Sequence, residues 1–303
     1  MRFLSLPEMV SRYVHSGATL YIGGFAFDDP LAVAHEIVRQ GIRDLTVIKS
    51  SGGIVVDLLI GAGAIRRLLV SHLWNSVGPT PAHAFRRAVE RGQPPIELEE
   101  LSYGAFTCGL LAGGMGLPFM PTTPLMGTGT FGERTFLPDK LATVRSPFDP
   151  ASEVVVVKAI APPLGIFHVA RVDREGTAQI LGPVAETRLA MAACQRVLLI
   201  AEEVVDTAAI RSRPECTVAF GAQVEAVAVV PFGAFPTDCH GYYRRDLAYH
   251  LEYAQATASP EGFEAYVARE VRGVADHGEF LARLGAERLA GLATRQERWW
   301  SVA

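Results

Sequence analysis

The chain has 303 residues, 49% of them hydrophobic and 20% charged, with a formal net charge of −4 and a pI of about 6.1. That is globular composition with ample material for a buried core, and no block of like charge argues for a nucleic-acid or anionic-membrane partner. The four cysteines, Cys108, Cys194, Cys216 and Cys239, are scattered without CxxC spacing, so they offer neither metal-ligand spacing nor a disulfide framework and read as buried or half-buried thiols.

The N-terminus "MRFLSLPEMVSRYVHSG" is too polar for a secretory leader and reads as a helix. Ser5 and Glu8 have capping-box spacing, and Gly17 stands where a C-terminal cap would. Next comes "TLYIGGFAFDDPLAVAHEIVRQG", a buried strand that passes through two glycines into an amphipathic helix. Asp29 can cap that helix and Pro30 fits its first turn. Gly23 and Gly24 are then left over, which suggests backbone N–H groups facing a ligand that no side chain may crowd. Neither the GxGxxG fingerprint nor the P-loop pattern occurs, so a nucleotide cradle is not supported.

Further strands are expected at "LTVIKS", "RLLVSH", "EVVVVKA", "GIFHVAR", "RVLLIAE" and "VEAVAVV", with helices at "VDLLIGAG", "PAHAFRRAVERG" and "AETRLAMAACQ". Residues 101–132 carry no charge, but their eight glycines and three prolines rule out one spanning helix; a short helix followed by neutral loops is expected. Beyond about residue 243 the pattern is wholly helical: "EGFEAYVAREVRGVADHGEFLARLGAERL" reads as two outer helices and "QERWWSVA" as a tail. Trp299 and Trp300 there would pack on a neighbouring chain or on the body of the domain.

Short apolar strands separated by helices predict an α/β fold: one open, largely parallel sheet with helices on both faces, in a single domain over 1–303. Its core would cover about 1–243 and a helical region about 244–303. Glycine-bearing segments recur just past strand ends, at 23–25, 50–53, 75–78 and 231–235. In a parallel sheet all four would share the carboxyl edge, where such folds bind ligands.

No GxSxG elbow occurs, and Ser76 is better placed to line a pocket than to act as a nucleophile. Glu202 and Glu203 could do acid–base or covalent work, though a structural pairing with an arginine is the more economical reading. His168 reads as a satisfied core residue, whereas His240 could reach the crevice. No catalytic constellation is complete, which points to a site finished by a second chain.

The run "YVHSGATLYIGGFAFDDPLAVAHEIVRQGIRDLTVI" resembles the opening of family I coenzyme A transferases, in particular alpha subunits of the glutaconate type. The likeness continues in order through "NSVGPTPAHAFRRAVERG", "GLPFMPTTPLMGTG", "AEEVV", "VPFGAFPTDCHGYY" and "FLARLGAERLAGL". The resemblance implies an open α/β fold and a beta subunit in a heterotetramer or larger assembly, in the cytoplasm. It implies no permanently bound cofactor and no metal; a CoA thioester would be the substrate. The nucleophile would be a glutamate of the beta subunit, carrying CoA as a glutamyl thioester between a dicarboxylic or 3-oxo acyl-CoA and an acceptor acid. No catalytic residue is then expected here, and Glu202 and Glu203 become structural. Gly23, Gly24, Phe25, Asn75, Ser76, Gly127 and Gly129 would line the acyl pocket. The alternatives on the same scaffold are an acyl-CoA hydrolase, disfavoured because Tyr103 stands where that branch has a glutamate, and a glutaconyl-type CoA decarboxylase. A non-catalytic acyl-CoA-binding protein is the reading from another class.

Overall fold

The computed structural model describes residues 1–75, 81–122, 125–132, 135–149 and 151–294. At the start of the chain Ser5 Oγ accepts from the Glu8 N–H, and Glu8 Oε2 accepts from the Ser5 N–H at 3.0 Å. This reciprocal cap opens the helix Leu6–Tyr13 as expected. The helix stops short of Gly17, which is used elsewhere: at φ +83° it turns the chain, and its N–H bonds Arg43 O.

The strands are, in chain order, β1 (Arg2–Phe3), β2 (Thr19–Ile22), β3 (Leu45–Gly52), β4 (Ile65–Leu73), β5 (Glu97–Glu100), β6 (Phe119–Pro121) and β7 (Leu141–Arg145). They continue with β8 (Glu153–Lys158), β9 (Gly165–Val172), β10 (Ala178–Gln179), β11 (Val197–Val204), β12 (Thr217–Ala219) and β13 (Val224–Val229). The main sheet runs β1-β13-β11-β9-β2-β3-β4-β5, with every neighbouring pair parallel. β10 and β12 attach antiparallel beside β9. The expected open, largely parallel sheet is therefore present.

Both faces are covered, and the period-two alternation of the strands divides the core in two. Leu20, Ile22, Val47, Leu68, Val70, Ile166, Leu198 and Ile200 face one way, toward the helices Leu6–Tyr13, Leu31–Arg39 and Ile54–Gly61. Tyr21, Ile48, Leu69, Phe167, Val169 and Leu199 face the other, toward the helix Tyr103–Gly114 and residues of Thr187–Ala193. Tyr249, Tyr253, Phe263, Tyr266, Val271 and Phe280 of the C-terminal helices join the first cluster, so that region shares the core of the sheet. It forms more pieces than the two helices expected: Pro260–Tyr266 runs on into a π-helical turn, and Gly285 separates His277–Leu284 from Ala286–Leu292.

Two expectations need correction. The "EVVVVKA" run forms β8, but β8 is the centre of a separate antiparallel sheet, β6-β8-β7, which packs Val155 and Val157 into the second cluster. An apolar run reports burial and says nothing about which strand lies beside it. Nor does Asp29 cap the helix Leu31–Arg39: Pro30 holds the cap position without a side-chain bond, and the Asp29 carboxylate is buried against Lys49. No helix among the described residues is long and apolar enough to cross a membrane.

Candidate functional site

Because the main strands are parallel, the loops after β2, β3, β4 and β13 share one edge of the sheet. The two glycines after β2 are first a packing device. A Cβ on Gly23 would stand 2.5 Å from a ring carbon of Phe167, and one on Gly24 would stand 2.4 Å from Asp29 Oδ1. Gly24 also adopts φ +89°, open to glycine and strained for other residues. The ligand-facing role expected of their N–H groups is divided. Gly23 N–H belongs to the sheet, donating to Ile166 O at 2.8 Å, while Gly24 N–H has no acceptor among the described residues.

Lys49 fixes this turn from below. Its ammonium, fully buried, donates to the carbonyls of Ile22, Gly23 and Gly24 and lies 2.8 Å from Asp29 Oδ1. With its protons aimed at three carbonyls, the contact to Asp29 is one of charge, and neither Asp29 oxygen has an aligned hydrogen bond. Burial pushes the Asp29 carboxyl up, and Lys49 opposes it.

A second buried network ties the β2 loop to the β13 loop. His168 Nδ1 lies 3.1 Å from Asp28 Oδ1, and Nε2 lies 2.6 Å from Glu202 Oε1. Glu202 also accepts from Tyr243 Oη at 2.9 Å and from the N–H groups of Phe232 at 2.7 Å and Gly233 at 3.3 Å. Burial works against a charged imidazole here, but the two carboxylates prevail and raise His168 to about 9. Burial pushes the Asp28 carboxyl up and its pairing with His168 opposes this, while Glu202 is held by four donors. His168 is thus the satisfied core residue expected, in its protonated form. The arginine partner expected for Glu202 and Glu203 is not what they have: Glu202 takes His168, and Glu203 accepts from Tyr242 Oη at 2.6 Å. Backbone strain gathers nearby. Ala26, Asp28 and Phe232, all on these two loops, and Ala185, next to Glu186, are non-glycine residues at positive φ; such residues cost roughly 1–3 kcal/mol each and persist where the surroundings over-determine them.

The third element was missed in the sequence. Glu186, buried, accepts from Tyr21 Oη at 3.0 Å, from Tyr103 Oη at 3.1 Å and from Ser50 Oγ. The Phe25 ring meets the edges of Tyr103 and His72, at 5.5 and 5.7 Å between centroids, and His72 lies 6.3 Å from Trp74. Tyr103 and Trp74 are 40% and 48% exposed, so this aromatic wall is the open part of the edge. Glu186 stands just before the helix Thr187–Ala193, and only the hydroxyls of three distant segments mark it.

Of the other pocket candidates, Asn75 is buried at the end of β4; its Nδ2 donates to His250 O at 3.4 Å and its Oδ1 has no partner among the described residues. Ser76 lies outside the described residues, as do Trp299 and Trp300. Gly127 and Gly129 lie in an exposed turn closed by Thr128 Oγ1 on Leu125 O, with no hydrogen bond to the β2 loop among the described residues. His240 is half-exposed, 3.5 Å from Asp238. An apolar cavity of about 160 Å³ lies elsewhere, lined by Thr19, Ile48, Leu101, Val157 and Ile160; Thr19 opens β2, so this cavity is not on the loop edge.

The histidines give the molecule a two-sided pH dependence. His168, raised above its ordinary 6.5, adds stability that is complete below pH 6.5 and is lost as pH rises through about 9. Burial lowers His250 to about 4 and holds His35 well below 6.5; their contribution is complete above 6.5 and is lost as pH falls toward 4. Urea unfolding midpoints measured from pH 5 to 9 are therefore expected to peak near neutrality. In a His168→Asn variant the loss on the alkaline side should shrink while the acid side keeps its slope.

Known proteins share this architecture. The family model described as "Coenzyme A transferase" matches residues 3–229. The alpha subunit of glutaconate CoA-transferase from Acidaminococcus fermentans is 31% identical, over 96% of this chain and 94% of that protein. The corresponding subunit of 3-oxoadipate CoA-transferase from Pseudomonas knackmussii is 32% identical, over 93% and 97%. The crystal structure of the Acidaminococcus glutaconate coenzyme A-transferase superposes with a TM-score of 0.90 at 30% identity, covering 97% of this chain and 96% of that one. Sequence and fold agree over nearly the whole chain, and the chain belongs to the coenzyme A transferase family.

Proposed function

We propose that the chain is the alpha subunit of a two-chain enzyme that moves coenzyme A from an acyl-CoA to a carboxylic acid. A beta subunit would complete the site with a glutamate nucleophile, in a cytoplasmic heterotetramer or larger assembly. The observation that carries this reading is the loop edge itself. It offers a Gly24 N–H with no acceptor among the described residues and an aromatic wall on a buried, ion-paired support, while the thiol beside Asp28 and His168, Cys239, is buried and held protonated by that burial. The two transferase relatives are each named as one subunit of their enzyme, which supports a partner that brings the nucleophile.

In this scheme the partner's carboxylate attacks the thioester carbonyl, the C–S bond breaks, and an acyl-glutamyl anhydride forms with release of CoA thiolate. The thiolate then attacks the glutamyl carbonyl, expels the acyl group as its carboxylate and leaves a glutamyl-CoA thioester. The acceptor acid takes CoA by the same steps in reverse. Each step passes through an oxyanion, and one pre-aimed donor there is worth roughly 3 kcal/mol. Gly24 N–H is this chain's candidate for that donor, with Phe25 walling the acyl group. Asn75, Ser76 and the turn at Gly127 and Gly129 would reach it from further around the rim.

The test is mass spectrometry of the complex purified with its partner, incubated with glutaconyl-, glutaryl- or pentanoyl-CoA and trapped with hydroxylamine or borohydride. A modified glutamate on the partner is expected. Release of free CoA or CO₂ with every glutamate unmodified would overturn the transfer route, and full activity of this chain alone would overturn the divided site.

A further inference from the structure

The open wall carries a charge that the transfer reaction does not use. Glu186 accepts three hydroxyl protons, from Tyr21, Ser50 and Tyr103, and no cation pairs with it among the described residues. Neutral donors hold a carboxylate in place without cancelling its charge. The titratable groups around it supply no positive charge either. Burial lowers His72 below 6.5, so it is neutral at pH 7. Burial also raises Tyr21, Tyr103 and Cys194, the last two to about 12, so all three keep their protons. The Tyr103 proton is committed to Glu186, which leaves its oxygen only lone pairs to present outward. Around it stand the rings of Phe25, His72 and Trp74.

We infer that this wall selects an uncharged, apolar acyl group and rejects one that ends in a second carboxylate; the inference rests on the acyl-CoA reading above. An apolar acyl chain gains contact with the rings. A terminal carboxylate there would meet the field of Glu186 and the lone pairs of Tyr103, with no cation paired to Glu186 among the described residues, which is specificity by repulsion. Tyr103 and Glu186 are then specificity-determining residues, Tyr103 at the acyl group and Glu186 through it.

The experiment compares two CoA esters of equal chain length, pentanoyl-CoA and glutaryl-CoA, which differ in a methyl against a carboxylate. Affinities for the purified two-chain complex are read by calorimetry, so the result does not depend on turnover. Should no partner glutamate be modified by any ester, the transfer route fails while this comparison still stands. Pentanoyl-CoA is expected to bind about tenfold tighter or more, the scale of one partly screened like-charge contact. Glu186→Gln should narrow the gap, and Tyr103→Phe, which removes both the outward lone pairs and a donor to Glu186, should shift it. Equal or tighter binding of glutaryl-CoA by the unaltered complex would overturn the inference. So would a gap that neither variant moves while both complexes keep their melting curves. Should neither variant fold, the comparison in the unaltered complex decides alone.

Discussion

Glu202→Ala is expected to destabilise the chain by about 3–5 kcal/mol, the cost of removing one partner from a buried charge pair. The substitution takes one of two carboxylates from a fully buried imidazole, leaving it Asp28, and leaves the Phe232 N–H and the Tyr243 hydroxyl without their acceptor, while Gly233 N–H keeps Val230 O at 2.9 Å. Glu202→Gln should cost less, because an amide oxygen can still take some of those donors. The measurement is urea unfolding at pH 7, followed by far-UV circular dichroism. A loss under about 1 kcal/mol would mean that His168 is neutral and the pair carries little charge.

Lys49→Met is the second large effect, again about 3–5 kcal/mol. Lys49 and Asp29 are 0% and 1% exposed, and removing the ammonium takes from the buried Asp29 the charge that most opposes its desolvation. Three carbonyls of the Gly23–Gly24 turn lose their donor as well. The double variant Lys49→Met with Asp29→Leu should recover a good part of the loss, since a buried pair replaced by apolar groups is often neutral. Equal losses in the single and double variants would show that the carbonyl bonds, not the charge pair, are what Lys49 contributes. Should Lys49→Met match the unaltered chain in urea, the clamp has no energetic role.

The value of the three lysines could not be read from their scarcity. Lys49, Lys140 and Lys158 each stand in an ion pair, the first two buried, with Asp29, Glu99 and Asp139. In the sequence they are single letters in apolar or loop contexts. Their partners stand 20, 41 and 19 positions away, beyond any local pattern. Glu186 was invisible for the same reason, since its donors Tyr21, Ser50 and Tyr103 come from three segments separated by the winding of the sheet. His168 and Glu202 were visible as residues but not as a pair. They meet because β9 and β11 are neighbours in register, and the two side chains project toward the β13 loop.

What the sequence determined by itself was local. The capping box at Ser5 and Glu8, the apolar runs of β2, β3, β9 and β11 and the glycines past strand ends follow from hydrogen bonding, hydrophobicity and backbone sterics within a few residues. These sufficed for a parallel sheet. The charged strand β5 and the two-residue β1 went unread because an edge strand has one neighbour and needs no apolar run. What only the tertiary structure decided was which polar groups are buried together, and thus which are charged. Desolvation and pairing act through space, with a cost set by the atoms a few ångströms away.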